Sequence, residues 1–484
     1  MSFFNHHNKH LILEIFIFKF LPLILFFFFI SLILYQNNDY INNDGIGYLV
    51  VADLIGNNQL EKTVNLNVDL FYPNLILKIS SLLNIDLLSS AKFITVIFYL
   101  LLFYSYSKIL NLFIFDKFVN FISLISIVCF TQLFDNYLPM IIREPGFWAF
   151  SLMGIYMYFR FYLDGRLEFL FLTIILFMLA SLFRLESIFF LGSILIFHIF
   201  NRIFSLNSLN SIKKQFNGKA FSFFILLCLI IFLLFFFKDL DIYFLRFGEL
   251  VNRFKLFLSP LDLSTDDQWL FELLKDYPLL LKFSFYSFLI ITKFILLIGL
   301  FNILIIYFSF KTNLIPKNIS IMIFFIIVIT LIPAYLNLLG VNVISSRYLV
   351  LSTLIIFVYQ GLGIFYILKN SKTIFKILLV FFVVVNILAS VFDSSNINEE
   401  KIVANWFLSN NVPMENIYVN NMKVRFYLNN YSFEETAYLE ALNNNIYKFY
   451  VIKNSEKDYM DLNFVDITSS VNINLDEFKI FKRP

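Results

Sequence analysis

Four small groups of ionisable residues stand out in a chain that is otherwise poor in charge. They are Asp44 in Asn42-Asn43-Asp44-Gly45-Ile46-Gly47-Tyr48, the pair Arg143-Glu144 ahead of Pro145, the turn Arg184-Leu185-Glu186, and Arg347-Tyr348. Each borders a long apolar run, where an ionisable side chain is costly and marks a candidate site. A carboxylate so placed can serve as a general base. An arginine suits phosphate, because its planar fork donates two parallel hydrogen bonds and stays charged. A base, one or two arginines and a groove for a lipid tail are what chemistry on a lipid phosphate at a membrane surface requires. Each group also has a structural reading. Asp44 could cap a helix over Ile46 to Ile55. Arg143 and Glu144 could flank a helix start at Pro145. Arg184 and Glu186 could punctuate a turn between two spans, and Arg347 with Tyr348 could anchor a span at the headgroups.

The elements that must position these residues follow from composition. Of the 484 residues, 60% are hydrophobic and 15% charged, and 67 are Phe; the mean hydropathy is +0.79. A soluble domain is nearer half apolar and a quarter charged, so the sequence reads as an integral membrane protein. Runs long enough to cross a bilayer lie near 11–35, 88–107, 118–136, 145–163, 167–183, 186–203, 220–237, 283–309, 319–338, 347–368 and 373–392, which predicts about 11 transmembrane helices. The first run is longer than a signal-peptide core and has no small-x-small site after it, so it reads as a retained span. The segment from Tyr72 to Leu83 is too short to cross and reads as an interfacial or re-entrant helix.

Lysine and arginine set the orientation. From Lys9 and Lys19 onward, alternate loops carry Lys108 and Lys117, Arg160 and Arg166, Arg202 with Lys213, Lys214 and Lys219, Lys311 and Lys317, then Lys369, Lys372 and Lys376. The intervening loops hold most of the acids, Asp39, Asp44, Asp53, Glu61 and Asp69 among them. The N-terminus is therefore expected in the cytoplasm, and all four ionisable groups outside it. Residues 1–392 form the expected membrane domain, with external loop one at 36–87 and a long external loop at 238–282. Residues 393–484 change to Asn-, Glu- and Lys-rich sequence with short apolar runs, which predicts a small extracytoplasmic α/β tail. Its expected elements are a helix over Glu399–Ser409, strands near Asn416–Val419 and Lys448–Lys453, and a helix near Met422–Leu428.

Other classes find little support. A net charge of +3 does not suggest a nucleic-acid partner. Cys129 and Cys228 lie far apart in apolar runs, and His6, His7, His10 and His198 form no ligand spacing, so neither a disulfide framework, a metal site nor a cofactor is expected. A flippase or transporter would place charge near the midplane and show internal repeats, which are not evident here. A lipid-linked polysaccharide polymerase or ligase would lean on an arginine-bearing outer loop, and the loop at 238–282 contains Arg246 and Arg253.

Taken in order, the motifs resemble the GT-C class of membrane glycosyltransferases, in particular glycosyltransferase family 39, which includes protein O-mannosyltransferases and aminoarabinose transferases acting on lipid A. The resemblance runs from Asp44-Gly-Ile-Gly-Tyr48 through Phe71-Tyr72-Pro73, Arg143-Glu144-Pro145-Gly-Phe-Trp148 and Arg184-Leu-Glu186 to Arg347-Tyr348-Leu349. In the tail it takes in Val403 to Leu408, Pro413, Asn416 to Val419 and Arg425-Phe426-Tyr427. It implies a GT-C-like all-α polytopic fold in a bacterial plasma membrane. It also implies a polyprenyl-phosphate sugar donor and a lipid, glycan or protein acceptor. Asp44 would be the general base, with Glu144 orienting the acceptor or sharing that role. Tyr48, Tyr72, Arg143, Arg184, Glu186, Arg347 and Tyr348 would bind substrate. Two positions depart from the family pattern: Gly45 stands where a second acid is common, and Glu144 where Asp is usual.

Overall fold

The computed structural model describes residues 14, 16–38, 40–59, 70–204, 278–312, 314–341, 345–392, 399–419, 421–428, 447–453, 465–468 and 478–483. The expected span at 220–237 and the loop 238–282 up to Tyr277 lie outside them. Helices dominate: α1 (Leu21–Gln36, entered through a π-helical turn Phe16–Phe20), α2 (Asn43–Gly56), α3 (Phe71–Leu83), α4 (Leu87–Leu110), α5 (Val119–Val128), α6 (Glu144–Asp164), α7 (Leu167–Phe183) and α8 (Ser187–Phe204). They continue with α9 (Pro278–Ile298), α10 (Leu300–Ser309), α11 (Lys317–Val341), α12 (Val350–Asn370), α13 (Thr373–Phe392) and α14 (Glu399–Ser409). Among the described residues, five helices are long and apolar enough to cross a membrane, or six if the bent pair α9–α10 counts as one. This is the architecture of a membrane protein. The run expected at 118–136 is only ten helical residues in α5, followed by a π-helical turn at Leu133–Tyr137.

The chain divides into two compact units. The first comprises Met1–Phe29, Val96–Leu133 and Arg143–Ala389. Its helices are joined by polar side chains buried among them. Ser126 Oγ donates to Gln360 Oε1 at 2.9 Å, Gln360 Nε2 to Asn302 Oδ1 at 2.7 Å, and Asn302 Nδ2 to the Cys129 carbonyl at 3.1 Å. Where no water can substitute, each buried polar group needs such a partner. Asn302 also explains how the expected span 283–309 tolerates a break. Gly299 takes φ +80, a left-handed conformation open to glycine, and the axis turns by 83°. The Asn302 amide then donates to the Ile298 carbonyl at 2.7 Å.

The second unit comprises Ile30–Thr95, Phe134–Ile142 and Ser390–Pro484. Helix α3 ends at Asn84, which is left-handed (φ 54). Asp86 then opens α4 by accepting from the Ser89 amide (2.8 Å) and hydroxyl (2.9 Å). Ser90 Oγ donates to the Ile76 carbonyl at 2.7 Å and ties α4 to α3. The tail of this unit contains β1 (Ile417–Val419), α15 (Met422–Tyr427), β2 (Phe449–Lys453), β3 (Val465–Asp466) and β4 (Phe478–Lys482). The sheet order is β1-β2-β4-β3; β1 and β2 are parallel and the other pairs antiparallel, with Tyr418 opposite Tyr450 and Val451 opposite Ile480. Asn421 caps α15 by accepting from the Lys423 and Val424 amides. Phe407 and Ala404 of α14 pack with Val424, Val451 and Ile480 to form the core of this module. Helix α15 packs on α2, with the Lys423 ammonium 5.6 Å from the Tyr40 ring centre.

Candidate functional site

Six of the expected site residues, Arg143, Glu144, Arg184, Glu186, Arg347 and Tyr348, lie in the first unit. Glu144 is the first residue of α6, with Pro145 behind it in the first turn, where a carboxylate favours the helix dipole. Arg184 ends α7 in an extended conformation that turns the chain toward α8. Arg347 and Tyr348 occupy a 3-10 turn ahead of α12. The Arg184 guanidinium joins these elements. Its Nη1 donates to Glu144 Oε1 at 2.8 Å and its Nη2 to Glu186 Oε1 at 3.1 Å, while its plane lies 4.1 Å from the Tyr348 ring centre. Arg347 Nε approaches the same Glu144 oxygen at 3.6 Å.

Burial separates the roles of these side chains. Arg184 and Glu144 are 6% and 4% exposed, whereas Arg347 is 31% exposed. Burial by itself would lower the Arg184 pKa, but Glu186 and Glu144 beside it hold it well above its ordinary value. Burial would likewise raise Glu186, and Arg184 with Arg143 outweighs it, leaving its carboxyl below the usual range. Arg184 and Glu186 therefore hold their charges at neutral pH. By formal charge, Arg143, Arg184 and Arg347 against Glu144 and Glu186 leave one net positive charge. Among the described residues, Glu144 Oε2 is buried with no hydrogen-bond partner. A carboxylate oxygen desolvated in that way can accept one further proton donor.

Asp44, Tyr48 and Tyr72 lie in the second unit. Asp44 is exposed in the first turn of α2. It is not the cap: Asn42 holds that position, and no side-chain cap bond is made. Asn42 Oδ1 instead accepts from the buried amide of Ile141 at 2.8 Å. The neighbouring Gly45 has a physical reason to carry no side chain. A Cβ there would stand 2.8 Å from both Asn42 Oδ1 and Ile141 Cβ. Tyr48 and Tyr72 are 9% and 1% exposed and meet edge to face, with centroids 5.1 Å apart. They pack α2 on α3, so their rings serve the core and leave little surface for a ligand.

One residue was missed from the sequence. Asp135 is half-buried in the π-helical turn at Leu133–Tyr137, within the run expected to span at 118–136. An acid inside an apolar run was the available signal, and single π turns recur at functional sites. Arg246 and Arg253, which an outer-loop polymerase or ligase would use, lie outside the described residues. Comparison with protein-family models, with curated proteins and with solved structures gives no match to this chain.

Proposed function

We propose that this protein is a membrane glycosyltransferase that moves a sugar from a polyprenyl-phosphate donor to an acceptor on the outer face of a bacterial plasma membrane. The chain crosses about eleven times, with the N-terminus cytoplasmic and the α/β tail extracytoplasmic. An oxygen of the acceptor attacks the anomeric carbon and its proton passes to Asp44. The bond from that carbon to the phosphate oxygen breaks, and the phosphate leaves with the electron pair. A single displacement inverts the sugar.

The observation that carries this reading is the buried ion cluster around Arg184, with its single net positive charge and its half-exposed Arg347. Its burial also redistributes the roles. Arg184 and Glu186 are spent on each other and on Glu144, so they are positioning residues. Arg347, at 31% exposure far more accessible than Arg184, is the side chain assigned to meet a departing phosphate, where negative charge develops. Glu144 Oε2 has acceptor capacity for a substrate hydroxyl. Asp44 as base rests on its place in external loop one and on the order of motifs shared with family 39.

The test follows a labelled sugar from its polyprenyl phosphate in membranes containing the full chain. The expected result is label transfer that falls about 10²–10⁴-fold in Asp44→Asn, with the unfolding midpoint unchanged. Transfer by Asp44→Asn at the wild-type rate would remove Asp44 as base. A wild-type chain that consumes no lipid-linked sugar would remove the enzyme.

A further inference from the structure

The first unit contains a second polar site, at the other end of its helices. A cavity of about 490 Å³ opens beside the π-helical turn at Phe16–Phe20, the last turn of α4 and the start of α5. A neighbouring hollow of about 330 Å³ shares Lys108 and Asn111 with it and reaches Tyr156, Arg160 and Asp164 at the end of α6. Glu144 begins that same helix. Sixteen residues at 1.5 Å each separate Glu144 from Arg160, about 24 Å, which approaches the thickness of a hydrocarbon core.

The charges around the cavity do not cancel. Lys117 pairs with Glu14 at 3.0 Å, Asp116 with Lys369 at 2.5 Å, and Arg160 with Asp164 at 2.6 Å. Lys19 and Lys108 line the cavity and make no ion pair among the described residues. The Lys108 ammonium rests 5.2 Å from the Tyr104 ring centre, a contact that leaves its charge uncompensated by any acid. Topology alone would account for lysines at this end, but it requires neither a cavity nor an apolar wall to it. That wall is built from Phe20, Leu23, Phe103 and Tyr104, and Phe20 and Tyr104 are 52% and 44% exposed. Two unspent cations above an apolar wall match an amphiphile, with an anion at one end and hydrocarbon at the other.

The geometry points to a binding site for the headgroup of an anionic glycerophospholipid, in the leaflet opposite the Glu144 cluster. Lys19 and Lys108 hold the phosphate, and the first acyl carbons lie along Phe20, Leu23 and Phe103. The inference is independent of the transferase reading.

The test titrates the purified full-length chain in detergent with dioctanoyl phosphatidylglycerol, counting bound lipid by native mass spectrometry. The controls are dioctanoyl phosphatidylcholine and sn-glycerol phosphate. Saturable binding is expected at least tenfold tighter for phosphatidylglycerol than for phosphatidylcholine. The Lys19→Gln/Lys108→Gln variant should bind it about thirtyfold more weakly, which is about 2 kcal/mol at about 1 per lysine. The unfolding midpoint in lipid-free detergent should not change. If the double variant fails to fold, Lys19→Gln alone should weaken binding about fivefold. Equal binding of phosphatidylcholine, wild-type affinity in the variants, or equally effective competition by glycerol phosphate would each overturn the assignment.

Discussion

Replacing Arg184 with leucine tests whether the ion cluster is a coupled unit. The substitution keeps an apolar stem of similar length and removes the guanidinium that faces two carboxylates. At 2.8 Å from Glu144, Coulomb attraction is worth about 6 kcal/mol at an effective dielectric of about 20, much of it offset by desolvation in the native protein. Breaking a buried pair by removing one partner leaves the other charge uncompensated and costs about 3–5 kcal/mol. Arg347 at 3.6 Å relieves part of that, so about 3 kcal/mol is expected for Arg184→Leu. Glu144→Gln in the same background removes one of the two stranded charges, the other being Glu186. The double variant should therefore be less destabilised than the sum of the singles by about 2 kcal/mol. The assay is equilibrium unfolding in mixed micelles of dodecylmaltoside and increasing SDS, read by tryptophan fluorescence. A cost below about 1 kcal/mol for Arg184→Leu, or additive singles, would refute the coupling and with it the positioning role of Arg184.

Two further outcomes are open to measurement. In Gly363→Ala the new Cβ would fall 2.0 Å from the Ile305 carbonyl oxygen, a backbone atom that cannot rotate away. The expected loss is about 3 kcal/mol in the same assay, at the upper end for overpacking, and a neutral result would show that α10 and α12 slide freely. Stability should also depend on pH through Glu186, whose folded-state pKa is depressed by Arg184. Such a group stabilises above its unfolded value of about 4.3, and that contribution is lost as pH falls through the lower folded value. The stability gap between wild type and Glu186→Gln should therefore close as pH drops from 6 to below 4. A gap unchanged over that range would contradict the ion pair.

Local signals were the legible ones. The α/β tail could be read because its elements are short and periodic: Glu399–Ser409 is a helix as expected, the strand near Lys448–Lys453 is Phe449–Lys453, and the helix near Met422 ends at Tyr427. The segment expected to lie at the interface or re-enter is one helix, Phe71–Leu83, because Tyr72-Pro73 supplies a helix start and Asn84 a left-handed stop. The break at Gly299 was not legible. One glycine in an apolar run costs little in sequence terms, and only Asn302, folding back onto Ile298, makes the broken end tolerable. The Asn42 contact was hidden for another reason, since its partner is a backbone amide 99 residues away and a backbone leaves no trace in residue type.

Composition by itself determined that this chain reads as a membrane protein and which residues were worth suspecting, because the cost of moving a side chain from water into hydrocarbon is set first by its type. Tertiary structure decided what the suspects do. Glu144 and Arg184 are 40 residues apart and Arg347 far beyond both, yet they converge at one helix end. The same packing withdrew Tyr48 and Tyr72 into the core and left Lys19 and Lys108 unspent beside a cavity. Burial and partnership are properties of neighbours brought together from distant sequence, and only the folded chain has them.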